Sequence, residues 1–217
     1  MKTRFFTKLA LAFMAVFGAA SVSYANTDYS KLDANDISRL CEMGDNNACN
    51  YAQNAKLQAC EKNNDVNACF EIGNSYTEAY ERAIKANDLI EKRKRFGKST
   101  EGMRKTPEAD INKMLSTAIF GYTKVCEKDV PLGCERLGII YTRLTPDKDK
   151  ALANFEKTCN ICLTILENGR NEGIKMLAGS SCTETINIYK SRKNFAKALD
   201  YEKRAQAQGA IEKKIDW

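Results

Sequence analysis

Pairs of cysteines return along this chain at nearly constant spacing. CEMGDNNAC holds Cys41 and Cys49, CEKNNDVNAC holds Cys60 and Cys69, and CEKDVPLGC holds Cys126 and Cys134. After the third pair, ERLGIIYTRLTPDKDKALANFEKTC reads as a helix, a turn and a second helix. Self-similarity of this kind marks a repeat architecture, in which each unit buries its apolar face only by stacking on its neighbours. It predicts a scaffold that binds rather than a centre that reacts.

The rest of the chain agrees with a helical repeat. Three prolines and twelve glycines are spread over 217 residues. Apolar positions recur every three to four residues, with no alternating strand pattern of useful length. With the frame set on the second cysteine of each pair, Cys134 is followed by Leu137, Gly138 and Tyr141, and Cys69 by Ile72, Gly73 and Tyr76. Cys182 is followed in the same way by Thr185, Ile186 and Tyr189. Offsets of three, four and seven share one stripe of a helix, so these side chains, the three tyrosines included, are expected in the repeat core. Second helices are expected to carry Ala151, Phe155 and Cys159, and Ala118, Tyr122 and Cys126, with the small residue admitting a close approach and the ring filling the groove. Thr106 is expected to cap the latter helix, with Pro107 at its first position. Ala198 and Tyr201 fall one residue out of register, which suits a terminal repeat.

The N-terminus reads as a secretory signal. Lys2, Arg4 and Lys8 precede the apolar run LALAFMAVFGAA, and Ser23 and Ala25 stand at cleavage-adjacent positions. The apolar run is far shorter than the roughly 20 residues needed to span a bilayer. A signal peptide over residues 1–25 and one domain over 26–217 are therefore expected. Cleavage removes three cations and no acid, lowering the net charge from +6 to about +3. That near-neutral balance implies no nucleic-acid partner. Nine cysteines in an exported chain imply oxidised pairs, with one thiol left over.

The motifs around Cys126 to Cys159, and again at Cys60 to Tyr76, resemble the Sel1-like repeat, a relative of the tetratricopeptide repeat. The likeness is to its cysteine-rich form in the Helicobacter cysteine-rich protein family. The resemblance implies an all-α fold, a right-handed α-solenoid of about three to four disulfide-stapled helix-turn-helix repeats. It also implies bridges from the end of one repeat's second helix to the start of the next repeat's first: Cys41 with Cys49, Cys60 with Cys69, and Cys126 with Cys134. Each would close a short loop worth roughly 2 to 3 kcal/mol. Cys182 has two candidates. Cys159 is in the family register, which leaves Cys162 as the free-thiol candidate, whereas bonding to Cys162 would free Cys159. The chain departs from the pattern at the stretched segment 76–107, at the single short helix between Cys49 and Cys60, and at the link 160–181.

Catalytic chemistry finds little support in the residues. The chain has no histidine, which removes Ser-His-Asp and Cys-His arrangements and the usual metal hydrolase sites. The resemblance carries a link to penicillin binding and β-lactamase activity, yet SxxK, SDN and KTG do not occur here. A β-lactam hydrolase is thus the alternative by family analogy only. Cys159 and Cys162 form the one CxxC, too little for zinc and without the βαβ framework of a redox motif. No cofactor or metal is expected. The acid pairs Asp147 with Asp149, and Glu42 with Asp45, read as turn and capping residues. The basic run EKRKRFGK, extended by Arg104 and Lys105, reads first as the solvated end of a long helix. It could otherwise meet an anionic envelope polymer, lipid headgroups or an acidic protein face.

The expected function is a protein- or peptide-binding adaptor in the periplasm or outside the cell. Its partner face would be lined by first-helix positions Glu71, Ser75, Arg136, Ile140 and Arg143, assigned by helical phase.

Overall fold

Scarce proline and three-to-four periodicity produce helix throughout the computed structural model, which describes residues 27–169 and 171–212. The expected signal peptide lies outside the described residues. Those described contain eight α-helices and no strand. The chain divides into two compact units between Asn54 and Ala55.

In the first unit a 3-10 turn at Tyr29–Lys31 precedes α1, Ala34–Glu42, whose Asp33 cap accepts from the Asp36 amide. Cys41 and Cys49 are bonded, with their Cα atoms 4.7 Å apart. Asp45 does the capping work expected of it at the start of α2, Asn46–Asn63, accepting from the Asn47 and Ala48 amides. The Tyr29 hydroxyl donates to its other oxygen at 2.7 Å.

The second unit carries six helices: α3 (Val66–Arg95), α4 (Glu108–Glu127), α5 (Pro131–Arg143), α6 (Lys148–Asn168), α7 (Glu172–Ser191) and α8 (Phe195–Ala207). Each packs on the next in chain order. Asp65, Asp147, Asn171 and Asn194 cap their helices through side-chain oxygens, satisfying amides that the first turn leaves open. Thr106 does not cap α4. Its backbone is held instead by Asn87 across the hairpin, through two 2.9 Å hydrogen bonds, and Pro107 stands outside the first turn.

The cysteine frame corresponds to a recurring helix junction. Cys60–Cys69, Cys126–Cys134 and Cys159–Cys182 are bonded with Cα separations of 4.7 to 4.9 Å. Cys69 and Cys134 are each the fourth residue of their helix. Three steps after each cysteine, Ile72, Leu137 and Thr185 are buried, as are Ala118, Ala151, Tyr122 and Phe155 on the facing helices. The close approach comes from the glycines four after Cys69 and Cys134. A Cβ on Gly73 would lie 2.6 Å from the Tyr122 ring, and one on Gly138 would lie 2.7 Å from Phe155. Ile186 occupies the same offset after Cys182 and leaves no seat for a ring. Tyr201, the aromatic out of register, stacks instead on Tyr189 with centroids 6.0 Å apart. Of the three frame tyrosines, Tyr189 is buried, while Tyr76 and Tyr141 are half-buried.

Two hairpins exceed the common length. α5 and α7 each end nine residues after their cysteine, whereas α3 runs 26 residues past Cys69. The 160–181 link is also helix: α6 continues nine residues beyond Cys159, and Cys182 is only the eleventh residue of α7. The extra turns bury Leu163, Leu166 and Ala178 against each other and α8.

Candidate functional site

Val130 and Pro131 start α5, with proline at a first-turn position where its missing amide costs nothing. Gly133 presses that start onto α4, since a Cβ there would lie 2.6 Å from Val125 and 2.9 Å from the Cys126 amide nitrogen. On the other side, Asn171 caps α7 by accepting from the Ile174 amide at 3.0 Å. The seven residues of α7 that precede its equivalent of the α5 start then form a wall with no counterpart on α3 or α5. Between wall and α5 lies a groove of ≈ 700 Å³.

Its lining is apolar, from Val130, Pro131 and Leu132 on one side and Ile174, Met176 and Leu177 on the other. Met176 is 76% exposed. Glu135 and Ser180 add polar atoms. Burial pushes the Glu135 carboxyl above its ordinary value, with the neighbouring Arg136 charge and the Ser180 hydroxyl acting the other way. Such a groove can seat apolar side chains and offer one carboxyl to a donor. It provides no nucleophile paired with a base.

Two smaller clefts separate the first helices of successive pairs. One, of ≈ 170 Å³, is bordered by Thr77 and Glu81 of α3 and by Arg136, Ile139 and Arg143 of α5. The other, of ≈ 240 Å³, is bordered by Thr142 of α5 and by Glu184, Asn187 and Ser191 of α7. Of the residues expected to meet a partner, Arg136, Ile140 and Arg143 come together in the first of these. Glu71 and Ser75 are exposed and do not line it, and Glu71 pairs with Lys56 at 2.5 Å. Ile140, expected to be exposed, is in that respect a correction. It is 2% exposed and sits in the core with Leu115, Tyr122 and Leu137, because an offset of three from Leu137 keeps it on the buried stripe.

No family model, no curated protein and no solved structure matches the chain. The site is thus read from its own geometry.

Cys162 is the unbonded cysteine among those described, and it is buried one turn after Cys159. Burial, and then the Glu135 charge, push its thiol up to about 11. At neutral pH the group is a protonated thiol, a poor nucleophile in an apolar wall. Native protein at pH 8 is expected to resist alkylation at Cys162 for hours, and to take up one label per chain at once in denaturant without reductant. Fast native labelling, read by intact mass, would contradict that burial.

The groove residues Leu132, Glu135, Ile174, Met176 and Leu177 escape a reading based on cysteine offsets. Their signal was the length of the 160–181 link, together with Ile174 and Leu177 three apart. Among the described residues, no group of three or more Cys, Asp or Glu side chains is placed to hold a metal ion.

Proposed function

We propose that this protein is an exported, disulfide-stapled Sel1-like repeat scaffold that binds a protein or peptide segment in the periplasm or outside the cell. Its helix pairs would stack as a right-handed α-solenoid. In-order packing of neighbouring helices and a recurring bridged junction support that architecture. Four disulfides fit an oxidising compartment. No described helix is long and apolar enough to cross a membrane.

The observation that carries the binding reading is the apolar groove between α5 and the extended start of α7. A partner segment would insert one or two large apolar side chains beside Met176 and Leu177 and set a donor, best a lysine or arginine, against Glu135. Pockets of that composition anchor short segments, since a few buried apolar side chains supply most of the affinity.

The test is selection of a displayed peptide library on the oxidised protein, followed by titration of the selected peptides against variants. Met176→Glu is expected to weaken them by roughly tenfold or more, because it puts a charge where an apolar anchor sits. Met176 is exposed, so the fold is unaffected. Selected peptides that bind Met176→Glu and Glu135→Gln as well as the parent would move the site elsewhere. Turnover of a chromogenic β-lactam, abolished by a point substitution, would overturn the scaffold reading altogether.

A further inference from the structure

The arm formed by α3 and α4 overshoots the other hairpins. The 17 residues by which α3 exceeds the nine-residue run after the cysteine of α5 and α7 correspond to about 25 Å of helix. Its end combines clustered cations with exposed apolar side chains, as does the stretch 190–204 around Phe195 and Leu199. Residues 88–105 hold seven Lys or Arg against three Asp or Glu. Lys92 pairs with Asp88, and Lys94 and Lys105 share Glu91. Among the described residues no acid forms a close ion pair with Arg95, Lys98 or Arg104, although the Arg95 charge helps lower the Glu91 carboxyl. Within this cationic end stand large apolar side chains that remain partly or largely exposed. Phe96 is 76% exposed, Leu89 51% and Met103 37%.

Phe96 and Leu89 are seven apart and so lie on one face of the helix end. Gly97 turns the chain directly after Phe96 with φ +63, which keeps the ring at the extremity of the arm. A solvated helix end explains the cations but not the ring. A purely ionic partner, such as an acidic polymer, would satisfy Arg95, Lys98 and Arg104 and leave Phe96 and Leu89 in water. The headgroup region of an anionic bilayer accommodates both, with phosphates around the cations and the acyl boundary under the ring.

We propose that the tip of the α3–α4 arm is a docking surface for anionic phospholipid bilayers, with Phe96 as the apolar wedge and Arg95, Lys98 and Arg104 as the phosphate contacts. The arm would hold the helix pairs beyond it at a distance from the lipid surface, leaving the α5–α7 groove free. This inference is independent of what that groove binds.

The experiment is co-sedimentation of the full-length oxidised protein with vesicles of phosphatidylglycerol and phosphatidylcholine, and with phosphatidylcholine alone. Binding is expected on the anionic vesicles only and is expected to fall steeply with added salt. Neutralising Arg95, Lys98 and Arg104 together to glutamine is expected to weaken it on the order of a hundredfold, at about fivefold per cation. Phe96→Ala is expected to weaken it about tenfold while leaving the salt dependence unchanged. All four positions are on the surface, so melting curves should superimpose on the parent. Equal binding to neutral vesicles, or no response to the triple substitution, would overturn the proposal. A response to the cations with none to Phe96→Ala, accompanied by equally tight binding to polyglutamate, would also overturn it and make the tip a polyanion site.

Discussion

Gly121→Ala is expected to be the most damaging single-methyl substitution in this chain. The crossing of α3 and α4 is backbone on backbone there: a Cβ on Gly121 would lie 2.6 Å from the Cys69 carbonyl oxygen, 2.8 Å from the Gly73 amide nitrogen and 3.2 Å from the Gly73 Cα. None of these atoms belongs to a side chain that can swing aside. The helices must separate by the better part of an ångström, loosening the contacts of Tyr122, Val125 and Cys69 around them. Overpacking of a core typically costs 1 to 3 kcal/mol, and a clash with rigid backbone belongs at the upper end, about 3 kcal/mol. For a domain of this size that is a fall of roughly 10 °C in Tm, read by circular dichroism. The three atoms nearest a Cβ on Gly73 all belong to the Tyr122 ring, so Gly73→Ala should cost less, because the ring can tilt at the expense of its 2.7 Å hydrogen bond to Asn74. Equal melts for Gly121→Ala and the parent would show that the crossing is loose.

Removing Cys159–Cys182 should cost more than removing either short bridge of the second unit. The bridges share one junction geometry, yet they close loops of very different length, with sequence separations of 23 against 8 and 9. Constraining the unfolded chain is worth about 3.5 kcal/mol for the long loop and about 2.5 kcal/mol for a short one. The double variant Cys159→Ala/Cys182→Ala is therefore expected to unfold at lower denaturant than Cys126→Ala/Cys134→Ala. Both cysteines are replaced so that no lone thiol is left in the core cluster that also holds Cys162. Together the four bridges contribute on the order of 10 kcal/mol, comparable to the whole stability of an ordinary domain. Fully reduced protein is thus expected to be largely unfolded at 37 °C. Retention of the oxidised melting curve after complete reduction would refute the stapling role.

The helical class and the junctions were legible because both rest on short-range periodicity. A cysteine followed at three and four by apolar or small residues specifies which stripe of the helix is buried, whatever lies across from it. The same reasoning misplaced Ile140, since choosing exposed positions by phase required knowing how wide the buried stripe is. At α5 it extends from Leu137 through Ile140, because both α4 and α6 pack on that helix. Thr106 shows a second limit. Its role depends on Asn87, nineteen residues away on the other limb of the hairpin, and no local pattern announces that contact.

The groove was half legible. The link 160–181 stood out as too long, but whether it formed a loop or more helix depended on Leu163, Leu166 and Ala178 finding each other across the hairpin. Once they do, the start of α7 stands beside the start of α5, and Met176 and Leu177 acquire a role that their sequence neighbours do not suggest. The out-of-register Tyr201 likewise has its cause elsewhere, in the Ile186 that replaces a glycine.

The order of the cysteines bears on how the chain is made. If exported from its N-terminus as proposed, the chain would present Cys41 before Cys49, Cys60 before Cys69, and Cys126 before Cys134. An oxidant that joins each new thiol to the last unpaired one makes these three bridges without correction. At the fourth junction the same rule joins Cys159 to Cys162, because Cys162 emerges twenty residues ahead of Cys182. The native bond then forms only when that first pairing is exchanged. Under the proposed export, consecutive pairing would therefore require one thiol exchange, at the α6–α7 hairpin where Cys162 ends buried and unbonded.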